Sequence, residues 1–254
     1  LALLARRFRR PDQYGFDLHT GFFSDPKWRW ARTASLRLIR RLHGVTIVTN
    51  THLQNICQQA GLRSIVLHDL IDEHPRNETR GNYVVCPLSY ANDEPIAALL
   101  SAAGTVDEIE WRFTGKAPSA VRSKAPKNVT FTGFITAQEY RTLLAESLGV
   151  VALTTRAHTM QRAGYEAFSA GVPQVTSDFP ELREFYEDSA EYTAPTAPEI
   201  VRSVRRLLEH QDHLCGRLAE VRVVRSAEQV QHLEQLRVEL GPLLPVKTSR
   251  KGEQ

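Results

Sequence analysis

Three cysteines in 254 residues, Cys57, Cys86 and Cys215, stand far apart and without ligand spacing, so neither a disulfide framework nor a zinc site is implied. That scarcity suits a reducing, cytoplasmic setting. No run approaches the roughly 18 apolar residues that a spanning helix needs, and the opening LALLARRFRRPD is too short and turns basic too soon to be one. No G-x-G-x-x-G follows a strand pattern, which disfavours a dinucleotide oxidoreductase. Ser89 and Ser169 lack a G-x-S-x-G context, so serine-hydrolase chemistry fits poorly. Low-complexity segments are missing too, as are internal repeats beyond an alternation of strands and helices.

That alternation is what the chain has in quantity. At 42% apolar content a substantial core is available. Strand patterns at 14–18, 45–49 and 64–67 alternate with helical patterns at 28–42 and 51–60. A polar, aperiodic stretch, 69–81 (DLIDEHPRNETRG), reads as a linker. After it, strands at 83–86, 109–114, 129–131, 149–153, 174–176 and 191–193 alternate with helices near 93–103, 118–124, 136–147, 162–170, 180–187 and 196–209. Such alternation predicts an α/β fold with a doubly wound parallel sheet. A C-terminal segment over 213–246 follows, whose long charged helix, unbroken or broken, runs over 213–240 and is ended by Gly241-Pro242, and a polar tail over 247–254 reads as disordered.

Charge is uneven. Residues 1–43 hold ten Lys/Arg against three Asp/Glu, whereas the remainder holds 22 against 26. The helical stretch 26–42 is predicted to group Trp28, Leu38, Ile39 and Leu42 opposite Arg29, Arg37, Arg40 and Arg41. A solvated basic face is one reading of that pattern, and attraction to an anionic membrane surface is the other. No nucleic-acid motif accompanies the charge, so nucleic acid is not an expected partner.

The segment 149–184, GVVALTTRAHTMQRAGYEAFSAGVPQVTSDFPELRE, compresses a buried strand, a polar loop, a helix and a second strand into a short span. In an open parallel sheet, ligands bind beyond the carboxyl ends of the strands, where a helix N-terminus offers free N–H groups to an anion. Glu166, early in that helix, adds a carboxylate, which a phosphate would not need but a ribose or sugar would. From Tyr165 onward, YEAFSAGVPQVTSDFPELRE resembles the donor-binding signature of GT-B nucleotide-sugar glycosyltransferases, in particular the retaining family-4 group. The resemblance extends through FTGK (113–116), KNVTFTGFITAQEYRTLLAES (127–147) and HGVTIVTNTHLQNICQQAG (43–61), covering roughly 200 of the 254 residues.

The resemblance implies a complete C-terminal Rossmann-like domain over 82–212, binding the nucleotide-sugar donor. It also implies, over 1–68, the tail of an N-terminal acceptor-side domain whose first strands are missing, and a C-terminal helix crossing back onto that first domain. A chain truncated in this way is expected to be inactive alone. Glu166 takes the place of the second of two glutamates separated by seven residues, the one that holds the ribose hydroxyls; the first is replaced by His158. Thr159, Met160 and Gln161 fill the loop facing the phosphates and sugar, and Phe134 lies where the family frames the nucleobase. Ser89 stands near the position of a phosphate-binding arginine, leaving Lys116 and Arg162 to supply the cationic charge. In the first domain, Asp17 and His19 project from the same side of a strand, and the resemblance gives His19 a sugar or acceptor contact with Asp17 as its orienting partner.

The activity so implied is transfer of a sugar, with retention, from a nucleoside diphosphate sugar to an acceptor hydroxyl on a sugar or a lipid-linked molecule. It needs no metal or other cofactor, and the location would be cytoplasmic, peripheral at the inner membrane face. Replacement of a glutamate by His158 and of an arginine near Ser89 keeps two alternatives open: a non-catalytic homologue acting as a partner subunit, and a sugar-nucleotide epimerase of the same fold.

Overall fold

The computed structural model describes residues 6–7, 14–24, 29–69 and 80–240. The chain divides into two compact units, one of residues 1–68 with 228–254 and one of residues 69–227.

The first unit holds a four-stranded sheet, ordered β1 (Arg6–Arg7), β2 (Tyr14–Asp17), β3 (Val45–Val48), β4 (Arg63–Val66). The first pair is antiparallel and the others are parallel. Helices α1 (Thr20–Ser24), α2 (Arg29–Arg41) and α3 (Thr51–Gln59) accompany it. Asn50 caps α3, its side-chain oxygen accepting from the Leu53 amide at 2.9 Å. Phe16, Leu18, Ile39, Leu53 and Cys57 form the core. One expected member fails to join it. Leu38 is 56% exposed, because the buried side of α2 centres on Ile39 and the residue before it points 100° away round the helix. Trp28 lies outside the described residues.

The second unit is a six-stranded, fully parallel sheet. Its strands are β5 (Tyr83–Cys86), β6 (Glu110–Thr114), β7 (Val129–Gly133), β8 (Gly149–Ala152), β9 (Gln174–Ser177) and β10 (Ala190–Thr193), in the spatial order 10-9-8-5-6-7. Alternate residues of β5 serve opposite faces. Val84 and Cys86 pack with Trp111, Phe113 and Val175 against α4 (Ile96–Thr105) and α9 (Ala197–Glu209). Tyr83 and Val85 pack with Val150 and Ala152 toward α6 (Ala137–Ala145) and α7 (Arg162–Ser169). With both faces covered, every residue of β5, β8 and β9 is buried, which is why these strands read as continuous apolar or small-residue runs. Two shorter helices complete the unit, α5 (Ser119–Arg122) and α8 (Pro180–Tyr186).

The order of strands fixes where a ligand can enter. From β5 the sheet grows through β6 to β7, then the chain returns to the other side of β5 and grows through β8 to β10. The switch point lies between the carboxyl ends of β5 and β8, where a crevice opens in folds of this kind.

Helix α10 (Gln211–Leu240) belongs to both units. Leu214, Leu218 and Val221 are buried in the second, whereas Leu240 packs with Val45 and Ile65 in the first. Among the described residues no helix is long and apolar enough to cross a membrane.

Element boundaries follow the sequence patterns closely, with two local departures. The helix expected near 93–103 runs Ile96–Thr105, because Pro95 cannot be reached from within a helical turn and instead precedes its first residue. The antiparallel β1 and the five-residue α1 have no periodic signature and were not expected. Residues 70–79 of the linker, Gly241-Pro242 and the 247–254 tail lie outside the described residues.

Candidate functional site

At the switch point, the loop after β5 (87–95) is tied to the loop after β8 (153–161) through one residue, Asp93. Thr154 Oγ1 donates to Asp93 Oδ2 at 2.8 Å and the Thr155 amide to the Asp93 carbonyl at 2.7 Å. Arg156 pairs with the same carboxylate at 3.6 Å. A reciprocal pair of bonds between Thr154 and Ser177, 2.9 and 2.7 Å, extends the tie to the end of β9. The β6 end joins through Gly115, whose φ is +77° and where a Cβ would stand 2.2 Å from the Leu88 carbonyl oxygen. Only glycine fits there.

Ser89, near which the family places an arginine, is exposed and held by an acid. Its amide and hydroxyl both donate to Glu94 Oε1, at 3.0 and 2.9 Å, and the Ala91 amide donates to Oε2 at 2.9 Å. That corner therefore presents a carboxylate locked into its own loop. Beside it, burial pushes the Tyr90 phenol up to about 12.

In the loop after β8, His158 adopts a left-handed backbone, φ +60°. Its Nδ1 lies 2.5 Å from Oε1 of Glu181, in the first turn of α8. The imidazole is 39% exposed and the glutamate side chain 6%. Thr159 Oγ1 donates to the Ala157 carbonyl at 3.4 Å. The Met160 side chain packs on the Tyr165–Phe168–Phe185 cluster. Gln161 is the N-cap of α7 but gives it no side-chain hydrogen bond, leaving the first amides of that helix without a side-chain acceptor.

Glu166 sits one turn into α7 and accepts from Arg162 Nε at 2.9 Å. It lines a cavity of about 500 Å³ between α6 and α7, with Tyr140, Arg141, Arg162 and Tyr165. Burial raises the Tyr140 phenol well above its ordinary range, and the neighbouring Glu166 carboxylate raises it further. Lys116 is exposed just beyond Gly115. Phe134 is 85% exposed after β7, which rules out the plain core role open to a phenylalanine there. His19 and Asp17 belong to the first unit and pair at 3.2 Å (Nε2 to Oδ2).

The second unit thus brings Arg162 and Glu166 together, and His158 against a glutamate that sequence patterning did not single out. Glu181 reads in sequence as an ordinary first-turn acid, favourable toward a helix N-terminus; its burial depends on the packing of α8 and has no local signature. Asp93 and Glu94 were missed for the same reason, each being a polar residue whose partner lies on a different element or across a turn, and Tyr140 because its burial beside Glu166 is a product of packing.

Residues 82–210, half of the chain, match the family described as glycosyl transferases group 1. The chain belongs to that family and is a glycosyltransferase of GT-B architecture. Among solved structures, it is similar to Anabaena HepE in complex with UDP and glucose, with a TM-score of 0.72 at 16% identity, over 90% of this chain and 71% of that one. Staphylococcus aureus TarM, in a complex that includes UDP, gives 0.68 at 11% identity over 84% and 47%, so this chain spans about half of that protein. Sucrose-phosphate synthase of Thermosynechococcus elongatus gives 0.64 at 13% over 88% and 68%. No curated protein matches the chain.

Proposed function

We propose that the protein transfers a sugar from a nucleoside diphosphate sugar to an acceptor hydroxyl, with retention and without a metal. The observation that carries this reading is Glu166, a carboxylate on the first turns of α7 facing a 500 Å³ cavity. Two adjacent hydroxyls of a ribose satisfy both of its oxygens. The unfilled amides of α7, with Arg162 and Lys116, face the diphosphate and stabilise the charge that grows on it. In the step itself the bond from the anomeric carbon to the β-phosphate oxygen breaks, and the acceptor oxygen bonds to that carbon. The acceptor proton passes to the leaving phosphate, so no protein base is needed. UDP in complexes of HepE and TarM makes uridine the first nucleoside to test, and His19 is assigned to the sugar or acceptor.

The test is calorimetric titration with UDP, GDP and ADP and their glucose conjugates. One nucleotide should bind, and Glu166→Ala should weaken it roughly tenfold to a hundredfold, the ~1.5–3 kcal/mol of hydrogen bonds to a charged group. Equal binding by wild type and variant, or none by either, overturns the reading.

We also infer a cytoplasmic protein that meets an anionic lipid surface through α2. Trp30 and Leu38 are 77% and 56% exposed, and Arg37 and Arg41 fall on their side at 100° per residue. Arg37→Glu with Arg41→Glu should abolish sedimentation with phosphatidylglycerol vesicles; undiminished sedimentation would exclude this face.

A further inference from the structure

Tyr140, on the α6 wall of the cavity that Glu166 lines, carries a buried hydroxyl with no hydrogen-bond partner. Few polar groups in a folded protein are left in that condition, because burial strips the group of water and returns nothing. Its place is firmly set. A reciprocal cap fixes the start of α6, Thr136 Oγ1 accepting from the Glu139 amide at 3.2 Å and Glu139 Oε2 from the Thr136 amide at 2.7 Å. The ring packs on the core of Leu143, Leu144 and Ala167, so the phenol cannot reach water without leaving it. A matching shortage exists on Glu166, whose carboxylate accepts from Arg162 Nε at Oε1. Glu166 stands close enough for its charge to raise the Tyr140 phenol, yet completes no hydrogen bond with it. When the exposed Arg162 turns to a diphosphate, Glu166 loses a donor while Tyr140 still lacks an acceptor. Arg141, a further donor on that wall, is bonded to Gln138 Oε1 of its own helix at 3.1 Å.

We propose that Tyr140 is a positioning residue for Glu166: once Arg162 turns to the diphosphate, the Tyr140 hydroxyl donates to the Glu166 carboxylate and aims its remaining lone pairs at the ribose hydroxyls. This rests on the donor-site reading above. A carboxylate has about four acceptor sites on its two oxygens, so one bond from a phenol leaves room for both hydroxyls. The partner of Glu166 thereby changes from a mobile arginine on its own helix to a tyrosine anchored on the neighbouring one. The unpaired phenol is a cost that the protein carries alone and that nucleotide binding relieves. For substrate class the consequence is a ribonucleotide rather than a deoxyribonucleotide, selected by a carboxylate whose direction is set from α6.

Tyr140→Phe keeps the ring and removes only the hydroxyl. The probe is whichever of UDP, GDP and ADP the wild type binds tightest, titrated by calorimetry beside its 2′-deoxy form. The variant should bind the ribonucleotide roughly tenfold more weakly. The 2′-deoxy form, with one hydroxyl fewer for Glu166 to hold, should lose no more than about threefold. In a Glu166→Ala background the same substitution should weaken binding no further. The thermal midpoint should be unchanged or about 2–4 °C higher, since an unpaired buried hydroxyl has been removed. A merely structural hydroxyl would lower affinity and stability together. Unchanged affinity, an equal loss for both nucleotide forms, or a lower midpoint would each overturn the proposal. A further loss on top of Glu166→Ala would overturn it too, by making Tyr140 a direct ligand contact. Failure of all three nucleotides to bind wild type, or wild-type affinity in Glu166→Ala, would instead refute the donor-site reading itself and this proposal with it.

Discussion

Arg162 Nε donates to Glu166 Oε1 at 2.9 Å across one turn of α7, so the two side chains proposed above for the diphosphate and the ribose are paired with each other. The arginine is 84% exposed. A pair of this kind on a helix surface contributes only about 0.3–0.5 kcal/mol, so an arriving diphosphate and ribose can divide it at little cost. Arg162→Ala should therefore lower nucleoside diphosphate affinity several-fold in calorimetry and move the thermal midpoint hardly at all. A large loss of stability with unchanged affinity would mean that the pair is structural.

Gly115→Ala should destabilise the second unit. The left-handed backbone alone costs a non-glycine residue about 1–3 kcal/mol, and the new Cβ collides with a backbone carbonyl that cannot swing aside. Urea titration should show a clearly lower midpoint; an unchanged one would show that the junction of the β5 and β6 loops is soft.

Asp93→Ala removes the acceptor for Thr154 Oγ1 and the partner of Arg156. The Arg156 amide, which donates to Thr154 Oγ1 at 3.1 Å, should exchange with solvent much faster. Leaving such a buried hydroxyl unpaired costs about 1–3 kcal/mol. Protection of that amide equal to wild type would remove Asp93 as the tie between the two loops.

The Asp178–Arg183 pair sets an acid limit. Hydrogen bonds from Arg183 Nε and Nη2, 2.5 and 2.9 Å, hold the Asp178 carboxyl below its ordinary 3.8. A carboxyl lowered by folding adds stability above its unfolded pKa, and that addition is lost as pH falls through the lower folded value. The stability difference between wild type and Asp178→Asn should thus be constant from pH 7 to about pH 5 and shrink below pH 4. Because the pair is largely exposed, the difference should also diminish in 1 M salt. A difference that grows with acid would contradict the assignment.

Much of the architecture was legible because a fully buried parallel strand has to be written in apolar or small residues, as in Tyr83–Cys86 and Gly149–Ala152. Spatial order was not, since nothing local tells β8 to return beside β5. Glu166 could be found from its place in a strand–loop–helix pattern. Glu181 could not, because its burial and its histidine partner are products of folding. Leu38 shows the limit of periodicity: a helical wheel groups 38, 39 and 42, but only packing decides where the boundary of the buried stripe falls. The Arg162–Glu166 contact lay in plain view as an i,i+4 pair, and what sequence could not say was whether either side chain would be waiting alone for a ligand.

Helix α10 has a consequence for how the protein is made. The first unit needs Leu240 to cover Val45 and Ile65, yet residues 69–227, a complete second unit, lie between them in the chain. At ribosomal speeds of roughly 5–20 residues per second, the early β3–β4 strands wait about ten to thirty seconds for the turn of helix that closes their core. During synthesis the sheet begun first is therefore the one whose packing is completed last, Val45 and Ile65 lacking their Leu240 contact until then.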